Sequence, residues 1–549
     1  MTLAIGLGAF PLVDVDEPRF ATASRHMAFG EFDWIVPRFN GDYRFDKPIL
    51  IYWLQAACMK IFGPLFGSEF GARLPSAIAV ALTVPFVAGI GRMLGLRSRW
   101  ALLAALMVPS AGIVQLLGRT CTADALLLGL AAFTAWVQVR LWKGFGGWRT
   151  WALLGLGIAA LTLTKGPPAW IGPAALAIGL WRESQEVSWG KVAFATLGGL
   201  VGFLAWALPA NWMTDGAFLS QGVGHHVIDR ASQPFEGHGG YGPHWLLFYV
   251  YMIPVVFLPW SLFAWRGLHR AHRGFPGVEP GAFPGTDPNV AVRICKLWLG
   301  WTALVFTISI SKLPHYPVPA FPALAIWITL GLQRARDVGL DTQNADRIVA
   351  WCLRVLGVLF AVALIVVFPL AGLPIEAQGA VTSLVFLGGF LLAAHRWRNG
   401  HARGALLATA MTSLLGFGLF GSATMPKLRQ SMIEQDFKTS TGWLPRDQIV
   451  HQFALSIPSL VFYSSQTVEK LMNDPQLPPQ PVQALQWMLE PGHMVLTRRS
   501  KLGQLAGAVS QMPVEHRQRL NQLLRNPPTV SEGFLPSKGK VVELVLLGD

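Results

Sequence analysis

Asp16 and Glu17, adjacent carboxylates ahead of Pro18 and Arg19, are the first residues of this chain whose types could do chemistry. They sit in Asp14-Val15-Asp16-Glu17-Pro18-Arg19, and Phe45-Asp46-Lys47-Pro48 follows about thirty residues on. A carboxylate at a membrane surface can serve as a general base or bind a metal. The plainer reading is a helix start, with Asp14 or Asp16 as N-cap before an acidic, proline-containing first turn. The two readings are compatible, because a cap also fixes the backbone of a catalytic loop. Pro48 opens an apolar helix over 48–62, so Lys47 sits where the helix dipole disfavours a cation. Its partner is either Asp46 or a phosphate shared with the helix N-terminus.

Further polar residues interrupt later apolar runs. Asp124 follows Arg119 at the end of one run and pairs with it in the simplest reading. Lys165-Gly166-Pro167-Pro168 separates two runs, as a turn with an interfacial lysine or as an anion contact. The long stretch 213–243 holds His225-His226 and Arg230; two histidines without a third ligand nearby are weak evidence for zinc. Ser311-Lys312-Leu313-Pro314-His315-Tyr316 closes another run, and both Lys312 and Tyr316 can donate to phosphate oxygens.

The elements that must position these residues are mostly transmembrane helices. The chain has 549 residues, of which 52% are hydrophobic and 13% charged, about half the charge of a soluble domain. Its 22 tryptophans suit interfacial belts. The net charge of +14 does not point to nucleic acid, since the basic residues lie mainly in short loops between apolar runs. Cys58, Cys121, Cys295 and Cys352 lack ligand spacing and read as core residues. Apolar runs predict an α-helical polytopic membrane protein with about 12–13 spans, counting a short first one before Asp14 that is thin or clipped. No basic segment marks a cleavable signal peptide.

Loop charge alternates. Arg92, Arg97, Arg140, Lys143, Arg182, Arg266, Arg293, Arg334 and Arg396 fall in one set of loops, which the positive-inside rule places in the cytoplasm. The opposite set comprises 14–73, 118–124, 164–168, 213–243, 311–316 and 372–378, and holds every candidate above. Cations on the side where topology disfavours them call for anion binding or for snorkelling to headgroups. The expected division is a transmembrane domain over 1–424 and a small α/β domain over 425–549 on the outer side. In that tail, strands are expected at Ser459–Tyr463, His493–Thr497 and Lys540–Leu547, and helices at Gln466–Met472 and Val514–Leu524.

At these residues the chain resembles the GT-C lipid-carrier-dependent glycosyltransferases of the bacterial aminoarabinose transferase type, related to the protein mannosyltransferases. The resemblance rests on Asp16-Glu17-Pro18-Arg19-Phe20-Ala21, Asp33-Trp34-Ile35-Val36-Pro37-Arg38-Phe39-Asn40-Gly41 and Phe45-Asp46-Lys47-Pro48-Ile49-Leu50. It continues through Arg73-Leu74-Pro75-Ser76, Lys165-Gly166-Pro167 and Ser311 to Tyr316. The resemblance implies a polyprenyl-phosphate sugar donor, consumed at the periplasmic face of a bacterial inner membrane by inverting displacement. The acceptor would be lipid A, another envelope glycan or a protein. It implies that Asp16 occupies the family's catalytic acidic position, with Glu17 beside it and Asp124 at another acidic position near the cavity. Lys47, Arg230 and Tyr316 would surround the donor phosphate, with Lys165 and Lys312 as further cations on that face. Asp46 and His225 would match a divalent-metal environment, although Asp46 stands where the family usually has Glu.

Such a transfer leaves a polyprenyl phosphate whose growing charge needs fixed donors. Asp16 would take the proton of a hydroxyl acceptor, or orient a phosphate acceptor that needs no base. The alternative is a transporter of lipid-linked sugars, which would place polar, broken-helix sites near the membrane midplane.

Overall fold

A computed structural model of the protein describes residues 3–30, 34–184, 188–222, 243–272, 286–337, 346–370, 374, 376–439, 448–464, 468–470, 480–535 and 540–548. Helix dominates because a backbone in hydrocarbon must satisfy its own polar groups. Among the described residues, seven helices are long and apolar enough to cross a membrane, or eight if one bent pair counts as a single span. They include Ser68–Met93, Ala123–Trp142, Trp189–Trp212 and Pro288–Ile308. Phe194, Leu197, Val201 and Leu208 of Trp189–Trp212 are exposed, the surface expected against lipid rather than water. The chain is a multi-span helical membrane protein.

Several of the expected apolar runs do not form one full-length helix among the described residues, because they are broken. The run over 100–117 splits at Pro109 into Ser98–Met107 and Gly112–Leu117. Gly166-Pro167-Pro168 ends the Trp148–Lys165 helix, and a new helix, Ile171–Ser184, follows a short 3-10 turn. Phe248–Val256 and Ser261–His269 are bent by 110°, with Pro259 at the break. The stretch 316–333 begins as a 3-10 turn before the helix Phe321–Asp337.

The N-terminal region is held by one buried guanidinium. Arg73, fully buried on the Ser68–Met93 helix, donates to Glu17 Oε1 at 2.9 Å and Glu17 Oε2 at 2.7 Å. Its remaining hydrogens go to the carbonyls of Leu7 (2.7 Å), Phe10 (2.9 Å) and Pro11 (2.8 Å). Glu17 also accepts the backbone N–H of Cys121 at 2.9 Å and of Val13 at 2.9 Å. The segment before the Asp16–Phe29 helix therefore wraps around Arg73. Asp16–Phe29 in turn packs on Leu50–Phe66, where Ser24 donates to Gln55 at 2.8 Å and Phe20 stacks on Tyr52 at 5.4 Å. Gly71 lets Ser68–Met93 approach Leu50–Phe66: a β-carbon there would lie 2.6 Å from Met59 Cα.

The chain ends in a five-stranded sheet ordered Val468–Lys470, Ile449–Gln452, His493–Arg498, Lys540–Leu547, Thr529–Leu535. The first two pairings are parallel and the last two antiparallel. The expected strands at His493 and Lys540 and the helix from Val514 are present. Ser459–Tyr463 instead forms the helix Pro458–Ser464, and the described part of Gln466–Met472 is the strand Val468–Lys470. Short apolar runs carry no decisive period, so packing against Asp16–Phe29 and Ile449–Gln452 decides them.

Removing one partner of a buried ion pair strands the other charge. Arg73→Met should therefore cost on the order of 3–5 kcal/mol of stability. Thermal unfolding of the purified protein in detergent checks this; a melting temperature equal to that of the wild type would show that the guanidinium does not hold this region.

Candidate active site

The first turn of Asp16–Phe29, the loop before Leu50–Phe66, the start of Ala123–Trp142, the end of Trp148–Lys165 and the loop 311–316 meet around one cavity of about 390 Å³. Its lining contains four cations, Arg19, Arg44, Lys47 and Lys165, and three carboxylates, Asp16, Asp46 and Asp124. Scattered loops thus build a polar chamber with a slight cationic excess.

Most of the charged lining groups are fixed by their neighbours. Asp124 lies in the first turn of Ala123–Trp142, where the helix dipole favours an anion. It pairs with the Lys165 ammonium and sits 3.4 Å from His315 Nε2. The Lys165 ammonium also stands 5.1 Å from the centre of the Tyr316 ring. Tyr249 donates to the Leu313 carbonyl at 3.1 Å, which fixes the loop carrying His315 and Tyr316. Asp46 takes Arg44 at 3.0 Å and the Tyr52 hydroxyl at 3.3 Å, while Lys47 donates to the Asp46 carbonyl at 2.8 Å. Burial pushes the Tyr52 phenol well above its ordinary range, so it stays a donor to Asp46. Asp16 is exposed to the chamber and has no hydrogen bond or ion pair among the described residues.

A second cavity, of about 420 Å³, shares Lys47, Asp124, Lys165, His315 and Tyr316 with the first. Its other walls are apolar and include Leu127, Ile171, Phe203, Val305, Phe306 and Ile308. Phe218 stacks edge-on against Phe45 at 5.3 Å and Trp206 at 5.0 Å to close one side. The two cavities form a cationic chamber that opens onto an apolar trough, with Lys47, Lys165 and Tyr316 at the junction.

Of the residues singled out from sequence, Asp16, Asp46, Lys47, Asp124, Lys165 and Tyr316 come together here. Glu17 does not join them, because Arg73 holds its carboxylate in the protein interior. Lys312 is buried and donates to the carbonyls of Thr307 (2.7 Å) and Ser309, satisfying the end of Pro288–Ile308 instead of facing the cavity. Arg230 and His225 lie outside the described residues. Neither Asp14 nor Asp16 caps the first helix, whose N-cap is Val15. Arg119 bonds Gln115 at 2.6 Å, leaving Asp124 to Lys165 and His315. Arg44 and His315 were missed as site residues, although His315 stands inside the 311–316 motif.

A divalent metal finds little support at Asp46. Its oxygens are engaged by Arg44 and Tyr52, and among the described residues no three His, Cys, Asp or Glu side chains are grouped to hold an ion.

The sequence profile of the dolichyl-phosphate-mannose-protein mannosyltransferase family matches residues 46–212. The undecaprenyl phosphate-alpha-4-amino-4-deoxy-L-arabinose arabinosyl transferase of Pseudomonas aeruginosa is 31% identical over 346 residues, 59% of this chain and 58% of the relative. A Pseudomonas fluorescens protein of the same name is 29% identical over 357 residues, 61% and 59% of the two chains. The chain thus spans less than two thirds of the length of these curated relatives. The crystal structure of ArnT from Cupriavidus metallidurans in the apo state superposes with a TM-score of 0.74 at 18% identity, covering 99% of this chain and 95% of that one. The same protein bound to undecaprenyl phosphate gives 0.72 at 20% identity, covering 99% and 96%. The chain shares the fold of ArnT.

Outside the cavity lining, Asp14 and Glu434 form a second pair of acids. Asp14 is buried, and burial pushes its carboxyl up to about 7 although hydrogen bonds from Ser459 pull it down. Glu434 is fully buried on the helix Ile433–Thr439; burial, and then the nearby charge of Asp14, push it up to about 8. An acid raised in the folded state stabilises it when protonated, so this contribution is present in acid and lost as pH rises from the ordinary carboxylate range to about 8. The melting temperature should therefore fall between pH 6 and pH 9, and Glu434→Gln should flatten that slope. An identical slope in wild type and variant would count against the pair.

Proposed function

We propose that this protein is a membrane glycosyltransferase. It moves a sugar from a polyprenyl-phosphate donor to a hydroxyl or phosphate of an envelope acceptor: lipid A, another glycan or a protein. The observation that carries the reading is the junction of a cationic chamber with an apolar trough, with an uncommitted carboxylate, Asp16, in the chamber. A lipid-linked sugar has that polarity: a hydrocarbon tail for the trough, a phosphate for the junction and a sugar for the chamber. The relatives' names describe an undecaprenyl-phosphate sugar donor, which is the same chemistry.

Lys47, Lys165 and Tyr316 line both cavities and are the groups to bind the donor phosphate. As the bond from the sugar C1 carbon to the phosphate oxygen breaks, charge builds on the phosphate. Fixed cations stabilise that charge without reorganising, which is worth most in a site shielded from water. The acceptor oxygen attacks C1 from the opposite face, giving inversion. Asp16 takes the proton when the acceptor is a hydroxyl, or orients a phosphate acceptor. Asp124 holds Lys165 and His315 in place. The chamber and the C-terminal domain face the periplasm of a bacterial inner membrane in this reading, which the basic loops at the other end support. A transporter would be expected to keep its polar site near the midplane; here the polar residues gather in loops at one end of the helices.

Asp16→Asn should lower kcat by roughly 10²–10⁴-fold when Asp16 acts as base. Lys47→Ala should lower it by about 10²–10³-fold through lost charge stabilisation. Both variants should elute and melt like the wild type. The assay is sugar release from an undecaprenyl-phosphate donor in proteoliposomes, and full activity of both variants would end this assignment of the site.

A further inference from the structure

The C-terminal region does more than follow the membrane part. Its helix Pro458–Ser464 reaches the segment that carries Asp16. The backbone N–H of Ser459 donates to Asp14 Oδ1 at 2.8 Å, and the Ser459 hydroxyl donates to Asp14 Oδ2 at 2.7 Å. One turn on, the Tyr463 hydroxyl accepts the Leu12 N–H at 2.8 Å and donates to Glu69 Oε1 at 3.3 Å. Between them, the Phe462 carbonyl accepts from Arg25 at 2.6 Å, and the Arg25 guanidinium lies 4.5 Å over the Phe462 ring.

These contacts fall on both sides of Asp16. Leu12 and Asp14 are anchored before it and Arg25 after it, while Arg73 pins its neighbour Glu17. Asp16 has no hydrogen bond of its own among the described residues, so its position is set through these neighbours. Ser459 is fully buried, and both of its donors go to one carboxylate. Buried, doubly bonded contacts of this kind fix geometry tightly. A catalytic group displaced by about 1 Å can lose on the order of 10²-fold in rate.

We propose that Ser459, acting through Asp14, is a positioning residue that holds Asp16 in place, and that the C-terminal region thereby belongs to the catalytic apparatus. The inference rests on the reading of Asp16 as the reacting carboxylate. Ser459 does not touch the substrate, so its loss should lower kcat and leave the KM for the donor nearly unchanged.

The full chain in proteoliposomes tests this with an undecaprenyl-phosphate-linked sugar, and hydrogen exchange is followed on peptides covering 10–20. Ser459→Ala should reduce kcat at least tenfold, keep KM within about twofold and raise exchange in 10–20 but not in the spanning helices. Ser459→Thr, which restores the hydroxyl, should recover most of the rate. Unchanged kcat in Ser459→Ala overturns the proposal, whether or not exchange rises. So does a lost rate that Ser459→Thr fails to restore. If the wild type transfers no sugar, the glycosyltransferase reading fails instead, and the exchange result alone decides whether Ser459 anchors the segment.

Discussion

A buried guanidinium cannot be left short of acceptors, and that constraint organises the N-terminal segment of this protein. Arg73 is inaccessible on a membrane-spanning helix, and all its hydrogens are taken by Glu17 and by the carbonyls of Leu7, Phe10 and Pro11. Leaving such a charge unpaired in a low-dielectric interior costs several kcal/mol. The segment before Asp16 is therefore bound to one helix at several points, and Asp16 projects from the turn that results. Glu17 and Asp16 are neighbours in sequence with opposite duties: one carboxylate is consumed by the scaffold so that the other can remain uncommitted.

The same division recurs around the cavity. Lys165 is held by Asp124, which His315 also touches, and Asp46 is held by Arg44 and Tyr52. Carboxylates in the chamber thus serve mainly to fix cations, and fixed cations are what a developing phosphate charge requires. Their places at helix ends and loop turns gather them at one end of the helices. In the proposed function, a substrate with a long apolar tail enters from the trough without its phosphate crossing the apolar interior.

Much of this could be read in the sequence, because short polar motifs stand out against apolar runs. Asp16, Lys47, Asp124, Lys165 and Tyr316 were identifiable by type and loop, and the charge of the loops placed them together. What the sequence left undetermined was the direction in which neighbouring side chains point. Glu17 and Lys312 have the same composition signature as Asp16 and Lys165, yet one meets Arg73 and the other folds back on Thr307 and Ser309. Those choices depend on contacts across long sequence separations. Arg44 was missed because nothing in its local sequence distinguishes it from an interfacial arginine. Hydropathy sees apolar runs and not every break within them: Pro109 and Pro259 interrupt two runs that read as single spans, so among the described residues fewer helices reach full spanning length than there are runs. Ser459–Tyr463 read as a strand because a five-residue apolar run fits either period; packing against Asp16–Phe29 made it a helix.

That misread helix bears on how the molecule is joined. A domain tethered only by its linker would be free to move relative to the membrane part. Pro458–Ser464 instead bonds Asp14 through Ser459 and bridges Leu12 and Glu69 through Tyr463. Lys438, on the short helix Ile433–Thr439, reaches Glu69 as well, so Glu69 receives contacts from two elements of the tail. Glu69 and Arg73 lie one turn apart on the same helix, so the tail and the N-terminal segment are fastened to neighbouring points of one support. Movement of the tail would therefore be transmitted to the turn bearing Asp16 more directly than to Asp124 or Lys165, which are held by other helices.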